Sequence, residues 1–245
     1  MVLTLTEQKI IRFCIVVPMY NEQAIAEKSI QTITAYAGKL RASADVLVIN
    51  DGSQDNTSEI LDGLMSSYTN GRLKIIHRRE NQGYGAAIRT GIKFAVENNY
   101  DYALFMDSDL TNHPRYLQDF YDKMLEGYDY IKATRYSKGG GTAGVPWKRR
   151  IISRCGNIFA KAVTGLPLTD ITNGFRAVKT DLLRQLELAE NDFSIIIEEL
   201  MRAGKITNSF CEIPYILSTR SEKTGPTAFP YTSAIFWKYT RYLFL

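Results

Sequence analysis

An α/β fold is predicted for this chain: a mostly parallel sheet flanked by helices, in a single domain. Three observations carry that expectation. Short runs rich in valine, isoleucine and aromatic residues lie at 12–17, 45–50, 73–77, 102–106 and 130–134. The segments between them show apolar residues at helical spacing, and such alternation implies βαβ units. The 245 residues are 45% hydrophobic and 23% charged, which suits one large core rather than disorder.

The first run ends at Pro18 and reads as a buried strand followed by a loop. Ile25, Ile30, Ile33, Tyr36 and Leu40 then recur at helical spacing. A strand at 45–50, a polar loop through Thr57 and a helix at 58–68 follow. The strand at 73–77 leads into NQGYG, a glycine-containing loop that opens a helix through Val96. The strand at 102–106 stops at Asp107 and Asp109, followed by a helix at 114–125 and a strand at 130–134. Beyond it come a glycine-rich stretch at 139–144, a basic helix at 147–163, the segment ITNGFRAVK, helices at 180–188 and 193–203, and a strand near 210–217. Residues 1–217 form the expected domain, and 218–245 an amphipathic C-terminal segment.

Bulk properties exclude several classes. The net charge of +4, from 30 basic and 26 acidic residues, gives no argument for nucleic acid. Cys14, Cys155 and Cys211 are far apart and form no C-x-x-C pair, so neither a disulfide framework nor a zinc site is expected. No secretory h-region opens the chain, and no run of about 18 apolar residues could span a bilayer. Gly83-Tyr84-Gly85 lacks the third glycine of a dinucleotide fingerprint, because Ile88 stands there, and reads as a turn. His77 and His113 are too far apart in sequence for a metal cluster, and no nucleophile elbow is present.

What remains is a convergence of carboxylates. In a parallel sheet the loops after the strands gather at one edge, where such folds bind ligands. Glu22, Asp51, Asp107 and Asp109 all fall in such loops. Two aspartates one residue apart repel each other; they either hold a hard divalent cation or cap the next helix. The segment from Arg135 to Arg154 holds six basic residues and no acidic one, either a solvated face or an anion site. The C-terminal AIFWKYTRYLFL is apolar with Lys238 and Arg241 interleaved, and either docks on the core or lies on a membrane surface.

The motifs VVPMYNE, VINDGSQDNT, NQGYGAAIRTGI and DSDLTNHP resemble the family-2 glycosyltransferases of GT-A, Rossmann-like fold. ATRYSKGGG with WKRRIISR, and TGLPLTDITNGFRA, are similar to the branch that includes dolichol-phosphate mannose synthases and other polyprenyl-phosphate glycosyltransferases. The resemblance implies donor contacts from Pro18, Tyr20, Glu22, Asp51, Asp107 and Arg220, with Mg²⁺ or Mn²⁺ on Asp107 and Asp109. It implies acceptor-phosphate contacts from Arg135, Arg149 and Ser153, and a catalytic set of Asp109, Arg135 and Arg149. Thr111 stands where the branch often has a glutamine ligand, and RSEKTGP departs from its late R-x-x-G-x-S-K pattern.

The implied reaction is an inverting transfer of a hexose, mannose favoured, from a nucleoside diphosphate sugar (GDP-mannose or UDP-glucose) to a polyprenyl or dolichyl monophosphate. The enzyme is expected to be cytoplasmic, peripheral on the cytoplasmic face of a membrane, and without a nucleic-acid partner. The alternatives are a family-2 transferase with UDP-glucose or a non-lipid acceptor, and a nucleotide-sugar-binding module without turnover.

Overall fold

The computed structural model describes residues 10–218 and 233–244. β1 (Arg12–Met19), β2 (Ser43–Asn50), β3 (Leu73–His77) and β4 (Tyr102–Phe105) are joined by α1 (Ala26–Ala37), α2 (Thr57–Ser67) and α3 (Tyr84–Glu97). A short 3₁₀ turn at Pro114–Tyr116 and α4 (Leu117–Leu125) lead to β5 (Tyr130–Thr134). Then come β6 (Gly141–Thr142), α5 (Trp147–Thr164), β7 (Arg176–Lys179), α6 (Thr180–Leu183), α7 (Ile195–Ala203), β8 (Phe210–Pro214), β9 (Ile216–Leu217) and α8 (Ser233–Leu243). The main sheet has seven strands in the order β3-β2-β1-β4-β7-β5-β8. All neighbouring pairs are parallel except those of β7, which runs antiparallel to both β4 and β5.

β1 is apolar almost throughout because both its faces are covered. Phe13, Ile15, Val17 and Met19 face one core with α1, α2 and α4, while Cys14 and Val16 face the other with α3 and α7. In α1 the buried Ala26, Ile30, Ile33 and Ala37 keep the spacing of one helix face. Gly91 of α3 lies where any Cβ would strike Val16, so α3 sits close on β1. The sequence reading misses β7, which is only four residues long and lies within ITNGFRAVK. The expected helix at 180–188 stops at Leu183, and the expected strand at 210–217 breaks at Tyr215.

α8 is docked by specific bonds. Lys238 Nζ donates to Glu190 at 2.8 Å and Asp192 at 2.7 Å, Tyr242 donates to Glu190 at 3.0 Å, and Tyr239 to the Phe193 carbonyl at 3.1 Å. Trp237 on this helix and Phe244 just past its end stay exposed. Thus α8 both packs on the core and presents an aromatic side chain outward.

The sheet encloses charge where β7 meets β5. Arg176 forms a bidentate pair with Glu199 of α7, both bonds 2.6 Å and both side chains fully buried. Tyr130 adds a hydrogen bond to the same carboxylate at 2.9 Å. Lys132, the cross-strand neighbour of Arg176 and Glu212, is fully buried and donates to the Asn173 carbonyl at 2.6 Å. Burial, then Arg176, lowers its pKa to about 7, against the opposing pull of Asp170, Glu199 and Glu212.

Two predictions follow from these buried charges. Arg176→Met leaves Glu199 charged and unpaired, so it should cost roughly 3–5 kcal/mol in chemical denaturation, with a smaller deficit in Arg176→Met/Glu199→Leu. For Lys132, the unfolded chain keeps near 10.5 a proton that the folded chain releases near 7. Unfolding therefore takes up a proton between those values, and stability rises with pH across that window. Wild type should gain on Lys132→Met by up to about 1.4 kcal/mol per pH unit there, read from urea midpoints.

Candidate active site

Because β1 to β5 point the same way once β7 is set aside, their C-terminal ends share one sheet edge. The loops there are stitched together. Asn21 N–H donates to Ser53 Oγ at 2.9 Å and its Oδ1 accepts from Gln54 N–H at 2.8 Å. Glu22 N–H donates to Thr57 Oγ1 at 2.9 Å. Pro18 ends β1 half-buried and Tyr20 is exposed beside it, so these two and Glu22 line the same rim.

Asp51 is buried and fully employed. Arg78 Nη1 donates to it at 2.5 Å and Gly83 N–H at 2.9 Å. The turn after it packs so tightly on the next loop that a Cβ on Gly52 would fall 2.5 Å from the Glu80 backbone, and its φ is +68°. Gly85 N–H donates to the Asn191 carbonyl at 2.8 Å. The amides of the glycine loop thus serve protein acceptors, which supports reading it as a turn. His77 bonds to Asn50 at 2.9 Å and Asp62 at 3.1 Å and is structural.

Asp107 and Asp109 follow β4, half-buried. Neither caps α4; the turn before that helix is capped by His113, whose Nδ1 accepts from Arg115 N–H at 3.1 Å. Asp107 Oδ2 accepts from Asn112 Nδ2 at 2.8 Å. Asp109 Oδ1 accepts from Thr111 N–H at 3.0 Å and Thr111 Oγ1 at 2.7 Å. Ser29 Oγ holds the Ser108 carbonyl at 2.5 Å, and Ser218 donates to the Thr111 carbonyl at 3.2 Å. Leu110 adopts φ +59°, a left-handed conformation that turns the loop back on itself.

The described residues contain no group of three or more acidic, histidine or cysteine ligands able to hold a metal. The fit here is to an ion that takes few protein ligands. Two hard carboxylates, each steered by a neighbouring donor, suit a divalent cation that shares its sphere with diphosphate oxygens. A buried acceptor without a partner, Asn112 Oδ1, lies within the same loop.

The basic side is organised differently. Arg135 lies just past β5, and its Nε and Nη2 grip the buried Asp170 at 2.7 and 2.8 Å. Burial works against its charge and Asp170 more than compensates, so its pKa lies above the ordinary value. Tyr136 donates to Ser153 Oγ of α5 at 2.7 Å, and Arg149 stands exposed one turn earlier on that helix. Asn157, also on α5, accepts from Ile171 N–H at 2.7 Å and so ties the helix to the Asp170 loop. Arg135, stacked over Tyr136, and Ser153 are therefore linked through that tyrosine. Arg220 lies outside the described residues.

The segment from Tyr215 to Ser218 bonds to both sides, through Tyr215 N–H to the Thr134 carbonyl at 3.0 Å and Ser218 Oγ to the Thr111 carbonyl at 3.2 Å. Burial raises the pKa of the Tyr215 hydroxyl, Arg135 pulls it down, and Asp170 and Asp107 raise it further, so all three charges act on one ring. Sequence reasoning missed Asp170, Arg78 and Asn112. Asp170 and Asn112 lie inside the motifs quoted above, but only the fold shows what they touch. A cleft of about 640 Å³ lined by Tyr100, Asp101, Tyr102 and Lys179 opens at the opposite edge, away from these carboxylates.

Comparison with known proteins identifies the family and the fold. A polyprenol monophosphomannose synthase from Mycolicibacterium smegmatis is 27% identical over 212 residues, covering 85% of this chain and 78% of that protein. An undecaprenyl-phosphate mannosyltransferase from Micrococcus luteus is 28% identical over 209 residues, covering 83% and 82%. The crystal structure of glucosyl-3-phosphoglycerate synthase from Mycobacterium tuberculosis, with Mn²⁺, UDP and glucosyl-3-phosphoglycerate, superposes with a TM-score of 0.63. It is 20% identical, over 88% of this chain and 73% of that one, and supports the GT-A fold. The profile of Glycosyl transferase family 2 matches residues 14–187, and the chain belongs to that family of glycosyltransferases.

Proposed function

We propose that this glycosyltransferase moves mannose from GDP-mannose to the phosphate of a polyprenyl monophosphate, inverting the anomeric carbon. The observation that carries the reading is that one segment bonds to both sides: Tyr215 N–H donates to the Thr134 carbonyl beside Arg135 at 3.0 Å, and Ser218 Oγ to the Thr111 carbonyl in the Asp107/Asp109 loop at 3.2 Å. One side offers acidic ligands for a dication on a leaving diphosphate; the other offers donors for an acceptor phosphate. The names of the two curated relatives, a polyprenol monophosphomannose synthase and an undecaprenyl-phosphate mannosyltransferase, support the same sugar and acceptor class.

Asp107 and Asp109 would hold Mg²⁺ or Mn²⁺. When bound, such an ion supplies electrostatic stabilisation to the departing diphosphate. The rim of Pro18, Tyr20 and Glu22, with Asp51 behind it, holds the nucleoside. Arg135, oriented by Asp170, and Arg149 hold the acceptor phosphate against donor repulsion. A phosphate is largely ionised near neutral pH and attacks without a strong general base. That suits a site in which His77 is occupied structurally and His113 caps a turn.

α5 supports a membrane surface as partner. Only Asn157 and Ala160 of its 18 residues are buried. Trp147, Ile151, Ile152, Ile158 and Phe159 are more than half exposed and lie away from the core-facing side, bordered by Arg150, Arg154 and Lys161. Such a helix suits an anionic bilayer surface, with apolar side chains among the acyl chains and cations at phosphate level. Among the described residues no helix is long and apolar enough to cross a membrane.

The deciding experiment offers labelled GDP-mannose or UDP-glucose to purified protein with polyprenyl phosphate in detergent, with and without EDTA. Lipid-linked mannose from GDP-mannose is expected. It should be lost with EDTA and reduced roughly 10²–10³-fold or more in Asp109→Ala. Donor hydrolysis without lipid product, or transfer indifferent to EDTA, would overturn the reading. A second measurement addresses α5: Ile151→Asp/Ile158→Asp should keep its thermal midpoint, because both side chains are exposed. It should sediment with anionic vesicles about tenfold less than wild type.

A further inference from the structure

We infer that Asn112 is a positioning residue for the divalent cation, orienting Asp107 through its amide nitrogen and accepting a hydrogen bond from a water of the ion through its amide oxygen. The inference rests on the dication reading above and assigns a role to a residue outside the acidic pair.

Asn112 is 2% exposed. Its Nδ2 donates to Asp107 Oδ2 at 2.8 Å, while its Oδ1 is buried and has no hydrogen-bond partner. That asymmetry is what needs a physical account. A buried acceptor left unsatisfied loses its water without a replacement, so most such groups in folded proteins are paired. If the amide served only the loop, an acceptor half without a partner would be a net loss. The left-handed Leu110 is a second cost at the same place, since a non-glycine residue there is disfavoured. It lies in the turn that brings residue 112 back to residue 107. Both costs have a reason if the acceptor faces a donor that the polypeptide does not supply.

A water coordinated to a divalent cation is such a donor, and its O–H groups are polarised by the ion. Groups that bind both a ligand side chain and the ion's water fix the ligand's orientation, and losing one typically weakens metal affinity about 10–100-fold. Thr111 completes the arrangement from the other side. Its hydroxyl is spent on Asp109 Oδ1 at 2.7 Å, so it orients a carboxylate through the same kind of bond. Asn112 and Thr111 thus hold one aspartate each, and the Asn112 amide oxygen is left as a buried acceptor without a partner.

The test uses the full chain and Mn²⁺. Free Mn²⁺ is followed by electron paramagnetic resonance during titration of the protein with GDP, for wild type, Asp109→Ala, Asn112→Ala and Asn112→Leu. Wild type is expected to bind Mn²⁺ and Asp109→Ala to lose it. Both Asn112 variants should bind roughly 10–100-fold more weakly. Without metal, their thermal midpoints should stay near that of wild type, because removal of the unsatisfied buried acceptor offsets the lost bond to Asp107. Mn²⁺ affinity within about twofold of wild type in either variant would overturn the inference and leave the dication reading intact. So would a clear fall in the metal-free midpoint of both variants with unchanged affinity in the folded fraction, since the amide would then be structural. If wild type binds GDP but no Mn²⁺, the dication reading falls and takes this inference with it.

Discussion

Two carboxylates one residue apart repel each other, and much of the loop chemistry at the sheet edge answers that constraint. Left alone, Asp107 and Asp109 would turn apart into solvent. Instead Asn112 and Thr111 each hold one of them, and Ser29 fixes the carbonyl between them from the buried face of α1. The strand that delivers them is fully buried, so its end cannot shift to relieve the strain. A rigid acidic pair has a small reorganisation cost when a dication arrives, which is the condition under which fixed charges stabilise a leaving group.

The basic side solves the opposite problem. A mobile arginine reaches a phosphate easily but spends side-chain entropy in doing so. Arg135 has that freedom removed by Asp170, which also accepts from the Arg135 backbone N–H and donates its own N–H to Glu212. Below them, Arg176–Glu199 and Lys132 form a buried polar layer that ties β7 to β5 and α7. Ion pairs of this kind add little net stability, but they are exacting about geometry. They place β7, the one antiparallel strand, between the acidic end of β4 and the basic end of β5.

The parts of this molecule that repeat a period could be read from sequence. β1 to β5 and α1 to α3 were legible because apolar runs and helical spacing report burial directly. The gathering of Glu22, Asp51, Asp107 and Asp109 followed from strand direction alone. β7 was not legible, because four residues after a loop show no alternation and its burial depends on partners distant in sequence. Asp170 and Asn112 escaped for a related reason: an aspartate or asparagine in a polar loop looks the same whether it faces water or a buried partner. The site roles of Pro18, Tyr20, Arg149 and Ser153 rest on resemblance; the fold sets Pro18 and Tyr20 at the C-terminal end of β1 and bonds Ser153 of α5 to Tyr136.

Under the proposed function, α5 joins the two demands that a lipid-linked acceptor would impose. Its inner side carries Ser153 and Asn157, bonded to Tyr136 and to the Asp170 loop, while its outer side is apolar and bordered by cations. A polyprenyl phosphate has its reactive group at the water interface and its chain in the hydrocarbon. An enzyme that met the headgroup with one element and the bilayer with another would have to keep the two in register across a flexible connection. A single helix removes that freedom, because the depth at which its outer face settles sets the height of Ser153 above the acyl chains. The rise per residue is about 1.5 Å and the helix is about 10 Å across, so lipid depth and phosphate position are coupled to within the width of one element. In that sense the exposed isoleucines of α5 belong to the geometry of the reaction as much as the arginines do.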